Sequence, residues 1–177
     1  MEDIEVPTEH LQEHINESAK ESKDGWSMYA AISTAFMAVF AALGSLMAGH
    51  HSNEALISQI KASDQWAYYQ AKGIKYDIAQ SVVMQNTAAN VEPPKEAKDR
   101  QAKLKADQEN IKKQADDFEK DSEAHLARHV TLARSVTLFQ IAIAISAIAM
   151  LTKRSLLWYF SLALSVAGAV LFFMGVL

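Results

Sequence analysis

The side chains best suited to chemistry in this sequence are its six histidines, because imidazole is a common metal ligand and titrates near neutrality. His10 and His14 fall in "HLQEH", the H-x-x-E-H pattern in which two histidines on one helical face hold zinc and the glutamate acts as base. The pattern is short, lies in an acidic stretch and brings no third ligand. The competing reading is a solvated amphipathic helix with Leu11, Ile15 and Ala19 on its apolar face and Thr8 as N-cap. His125 and His129 occupy a longer helical seam, where they could bind a metal or loosen packing when protonated. A wet seam near a membrane also tolerates polar residues, and that reading is preferred. His50 and His51 are adjacent, point to different helical faces and cannot form one chelate. No catalytic residue and no cofactor is expected. The absence of cysteine rules out disulfides and thiolate chemistry.

The elements around these histidines are helical. Charge-free segments cover residues 28–48, 136–151 and 156–177, and about 20 apolar residues span the hydrocarbon layer as a helix. The middle segment lengthens through Leu132 and Ala133 if Arg134 snorkels. The expected fold class is all-α: three transmembrane helices with a long extramembrane antiparallel coiled-coil hairpin. The divisions are an acidic tail with a short amphipathic helix over 1–25, transmembrane helices over 26–48, 135–151 and 156–177, and the hairpin over 49–134. Eight acids precede the first span against Lys20 and Lys23, which suits an uncleaved anchor better than a secretory signal. No segment is basic enough for nucleic acid.

Pro93 and Pro94 interrupt the 49–134 segment at its middle, so nearly equal arms fold back about a hinge there. Glu92, placed before proline, should end the first arm, and Pro94 can open the second. In the second arm Ala97, Gln101, Leu104, Gln108, Ile111, Ala115, Phe118, Ser122, His125, His129, Leu132, Val136 and Phe139 alternate by four and three. This heptad seam predicts one helix from about Pro94 to about Leu151. In the first arm Leu56, Ile60, Ser63, Ala67, Ala71, Ile74, Ile78, Val82, Gln85 and Ala89 follow an 11-residue period. They are assigned to the intrachain seam, with Ile74 near Ile111, Ala71 near Ala115 and Ala67 near Phe118. A second stripe, Ala62, Trp66, Tyr69, Gly73, Tyr76 and Val83, then faces outward. An unpartnered aromatic stripe suggests contact with another chain, so Trp66, Tyr69, Gly73, Tyr76 and Val83 are the expected oligomer interface.

Three stretches, "ASDQWAYYQAKGIK" over residues 62–75, "VPTEHLQEHINE" near the start and "LMAGHHSNEAL" after the first span, resemble a bacterial family catalogued as domain of unknown function 4337. The resemblance covers nearly the whole chain. It implies a bacterial membrane protein of this arrangement and carries no activity.

The spans hold little that could relay protons or ions; Gln140, Ser146, Ser161 and Ser165 are the polar residues considered for a pore. Small residues at four-residue spacing, Ser161, Ser165 and Ala169 in the third span and Ala31 and Ala35 in the first, suit close helix packing. The expectation is a non-enzymatic, self-associating structural or scaffolding protein of the bacterial inner membrane. Its partners would be membrane lipid, further copies of itself and an unidentified protein. An oligomeric pore lined by Gln140 and the serines is the alternative, and a metal-binding protein or enzyme comes third. In a three-span chain Lys20 and Lys23 share a side with Lys153 and Arg154, two crossings later. The positive-inside rule makes that side the cytoplasm and leaves the hairpin extracytoplasmic.

Overall fold

The computed structural model describes residues 25–177 together with Glu13. The motif at His10 and His14 and the helix around Leu11 lie outside the described residues. Residues 25–177 form three helices and no strand: α1 spans Gly25–Ala88, α2 spans Lys95–Thr152 and α3 spans Ser155–Val176. Each contains a stretch long and apolar enough to cross a membrane. The fold is all-α, as composition and periodicity require, and α2 is the single long helix that its heptads predict.

The contacts separate into two units. Residues 25–52 with Leu126–Leu177 form an apolar bundle, and Asn53–His125 form a helical hairpin. The hairpin is shorter than the expected 49–134, because the feet of both arms pack within the bundle. The His129 ring nitrogen Nδ1 lies 2.8 Å from the Ala48 carbonyl, and Leu132 is fully buried against Gly175. A carbonyl only accepts, so Nδ1 carries the proton in that bond.

Within the bundle, α1 buries Ala30, Thr34, Met37, Ala41, Gly44 and Ala48, a narrow ridge that alternates by four and three. Such small side chains let helix backbones approach closely where apolar burial gives little preference between lipid and protein. Phe40 fills the space beside this ridge, stacked on Phe139 at 5.9 Å and edge-on to Phe172 at 5.6 Å between centroids. On α3 the buried residues are Ser161, Gly168, Phe172 and Gly175. Of the residues at four-residue spacing, Ser161 is fully buried, Ala169 and Ala31 are half-buried against the core, Ser165 is half-buried and Ala35 of α1 is exposed. A helix face recurs most closely after two turns, or about seven residues, so Ser161, Gly168 and Gly175 stay on the contact line. Ser135 donates a hydrogen bond of 2.8 Å to the Gly168 carbonyl.

At one end of the bundle Trp26 and Trp158 lie 6.3 Å apart, and the Trp158 indole N–H donates to Ser33 at 3.2 Å. The link from α2 to α3 at that end is short. Lys153 adopts a left-handed φ of 51°. The Arg154 N–H reaches the Ala149 carbonyl at 3.0 Å, and the Lys153 N–H reaches Met150 at 3.3 Å. This is a Schellman cap closing α2.

The hairpin turn uses the same device. Asn90 has a φ of 56°, the Val91 N–H bonds the Asn86 carbonyl at 2.9 Å and the Asn90 N–H bonds Thr87 at 3.1 Å. Asparagine tolerates the left-handed region better than other side-chain-bearing residues. The helix therefore stops at a cap on Asn90, before the expected hinge residues Pro93 and Pro94 are reached. The prolines hold the extended link that follows, and Pro94 supplies the carbonyl that accepts the first amide bonds of α2, from Ala97 at 3.0 Å and Lys98 at 3.3 Å. Glu96 stands in that first turn, where a carboxylate complements the helix dipole.

Candidate functional site

The hairpin's first arm presents two contrasting faces, and they are the reverse of those assigned from the sequence. Every residue of the expected α2 seam is buried or half-buried. On α1 the expected seam is exposed throughout: Leu56 is 53% exposed, Ile60 54%, Ile74 62%, Ile78 61% and Val82 41%. The first arm is turned by about half a revolution. Its inner face is Ala55, Ser58, Ala62, Trp66, Tyr69, Gly73, Tyr76 and Val83, all buried or half-buried.

Polar groups in and beside the α2 seam favour this choice. Gln101, Gln108 and Glu119 are half-buried, and buried polar atoms need partners. Aromatic residues with polar handles supply them while also covering apolar surface. The Trp66 indole N–H donates to Glu119 Oε1 at 2.7 Å. The Gln101 amide reaches the Tyr76 hydroxyl, and the Gln108 amide reaches the Tyr69 carbonyl, each at 3.4 Å. Gly73 leaves the backbone open to Gln108, whose Nε2 would lie 2.8 Å from any Cβ there. Ser122 donates to the Ala55 carbonyl at 2.9 Å. An aliphatic face turned inward would take the Tyr76 hydroxyl from Gln101 and the Trp66 indole from Glu119, whereas Gln108 and Ser122 bond main-chain carbonyls. Trp66, Tyr69, Gly73, Tyr76 and Val83 thus hold the chain to itself and are not a free surface for a second chain. The register moves with the rotation: the bonds pair Tyr76 with Gln101, Tyr69 with Gln108 and Ala55 with Ser122, in place of the expected pairs Ile74 with Ile111, Ala71 with Ala115 and Ala67 with Phe118.

One ion pair ties the arms. Lys72 Nζ lies 2.7 Å from Asp107 Oδ2, and the same ammonium sits 5.4 Å from the Tyr68 ring centroid. The hydrogen bond from Lys72 holds the Asp107 carboxyl below its ordinary range. The bond to Asp107, with help from Tyr68, holds Lys72 above its own. Asp107 releases its proton more readily folded than unfolded, so its share of stability is present above the usual carboxylate range and fades as pH falls through the lowered value. Lys72 contributes fully below the usual ammonium range and loses its share as pH rises past the raised value. Neutral pH lies inside the window. Denaturant midpoints for the wild type and Asp107→Asn should differ at neutral pH and converge on acidification. Parallel curves down to strong acid would show that the pair adds nothing.

The histidine sites yield no ligand cluster: among the described residues no group of three or more His, Cys, Asp or Glu is placed to hold a metal. His125 and His129 are half-buried in the α2 seam, His51 is buried and His50 exposed. In the bundle Ser146 is fully buried and its Oγ has no hydrogen-bond partner among the described residues. Near the turn an open groove of about 340 Å³ runs between the arms, floored by Ile78, Ala79, Val82 and Ala97 and edged by Lys75, Glu96 and Arg100. Ile78 and Val82 belong to both the groove and the outer aliphatic face.

The fold and these faces define a class of helical protein in which a three-helix apolar bundle carries an antiparallel hairpin with an uncovered aliphatic stripe. The chain belongs to the family described as domain of unknown function (DUF4337), whose model matches residues 26–177. No curated protein and no solved structure matches it.

Proposed function

We propose that this is a non-enzymatic, self-associating scaffold of the bacterial cytoplasmic membrane, with its amino terminus in the cytoplasm and its hairpin on the other side. The single observation that carries the reading is the outer aliphatic face of the hairpin's first arm. Residues 95–123 of α2 are too densely charged to lie in hydrocarbon, so the hairpin stands in water. Leu56, Ile60, Ile74, Ile78 and Val82 are then water-exposed aliphatics on one helical face. At about 25 cal/mol per Å², each 100 Å² of such surface covered by a partner contributes about 2.5 kcal/mol. Long uncovered stripes of this kind mark contact sites.

The aromatic pair Trp26 and Trp158 supports the orientation. It brings the start of α1 beside the start of α3, so Lys153 and Arg154 lie at the end of the bundle where α1 begins.

The purified protein in detergent should run as a multimer by mass photometry, and Ile74→Asp with Ile78→Asp should reduce it to smaller particles whose helicity is unchanged. Proteoliposomes should show no ion flux. A monomeric wild type at all accessible concentrations would overturn the scaffold, and robust flux would favour the pore.

A further inference from the structure

We propose that the outer face of the hairpin's first arm pairs with the same face of a second copy, parallel and in register. The inference rests on the self-association reading and adds the partner surface and its direction. Copies inserted into one bilayer with one orientation run α1 the same way, which favours parallel over antiparallel contact. The stripe's 11-residue repeat, Leu56, Ala67, Ile78 with Ile60, Ala71, Val82, makes a nearly straight seam over roughly 40 Å of helix. In register, small layers at Ala67 and Ala71 meet one another and let the helices close up at the centre. The branched side chains above and below meet their own kind.

Charge at the edges agrees. At about 100° per residue, Lys75 flanks the stripe on one side and Asp77 on the other. Both are exposed, and the ion pairs among the described residues, Lys72 with Asp107 and Lys98 with Glu92, leave them out. A parallel two-fold pair sets Lys75 of each copy beside Asp77 of the other, so one geometry satisfies four charges. An isologous contact of this kind closes on itself.

The chain has no native cysteine, so single cysteines report the geometry directly in full-length protein in membranes. Ile74→Cys and Ile78→Cys should each give disulfide-linked dimers on mild oxidation, and Lys112→Cys on the outside of α2 should not. Lys75→Asp should lower the dimer fraction roughly five- to tenfold, as expected for losing two exposed pairs and gaining like-charge contact. Lys75→Asp with Asp77→Lys should restore it. Linking of Ile78→Cys only when mixed with Ile60→Cys would establish an antiparallel pairing and overturn the proposal. A multimeric particle in which neither Ile74→Cys nor Ile78→Cys links would overturn the surface and leave self-association standing. A particle that is monomeric by mass photometry would remove both.

Discussion

Replacing Trp66, Tyr69 and Tyr76 together with serine is expected to open the hairpin rather than to dissociate an assembly. Trp66 is hydrogen-bonded to Glu119 at 2.7 Å and packs edge-on against Tyr69 at 5.6 Å between centroids. Tyr76 accepts the Gln101 amide. Truncating a buried aromatic costs about 3–5 kcal/mol. These three are half-buried, so the summed loss is on the order of 5 kcal/mol, before counting the Glu119 and Gln101 groups left unpaired. That rivals the whole stability of a typical domain. Hydrogen exchange should show amides of Asn53–His125 losing protection while those of α3 keep theirs. The outer-face variant Ile60→Ser, Ile74→Ser, Ile78→Ser should behave oppositely, with hairpin protection retained and particle size reduced. If the aromatic variant keeps full protection, the inner and outer faces have been assigned the wrong way round.

The bundle should prove equally sensitive at Gly44. A Cβ there would lie 2.9 Å from Val136 Cγ2 and 3.5 Å from Phe172 Cδ2, so α1 has no room for a side chain where it meets α2 and α3. Val136 is β-branched and holds one rotamer in a helix, which prevents it from swinging aside. Gly44→Val should therefore cost about 1–3 kcal/mol by overpacking, read as a lower Tm in detergent. Val136→Ala in the same chain should recover most of the loss by removing the colliding methyl, a coupling that a double-mutant cycle isolates. An additive cycle would mean that the two residues are not in contact.

The α2 seam was legible because its apolar residues are separated by charged ones, so a single face satisfies the heptad and the buried positions follow the pattern from Ala97 to Phe139. On α1 the pattern misled. Two faces carry apolar residues, and ranking them by aliphatic content selects Leu56, Ile60, Ile74 and Ile78, which turn out exposed. A better guide was present: Ala30, Thr34, Met37, Ala41, Gly44, Ala48, His51, Ala55, Ser58 and Ala62 form a line of mainly small residues at three- and four-residue spacing, the signature of close helix approach. The turn was legible as a place but not as a mechanism. Two prolines announced the break, whereas the stop is the left-handed cap at Asn90.

The sequence by itself determined the helices, the three membrane-length segments and the inner face of α2, because each depends on local propensity and on a periodicity that only one arrangement satisfies. Which face of α1 turns inward was decided by tertiary structure. Hydrophobic burial is non-directional and would accept either stripe. Hydrogen bonds are directional, and the requirement that Gln101 and Glu119 find side-chain partners across the hairpin favours the aromatic face. The aliphatic stripe is left outside, exposed along the first arm.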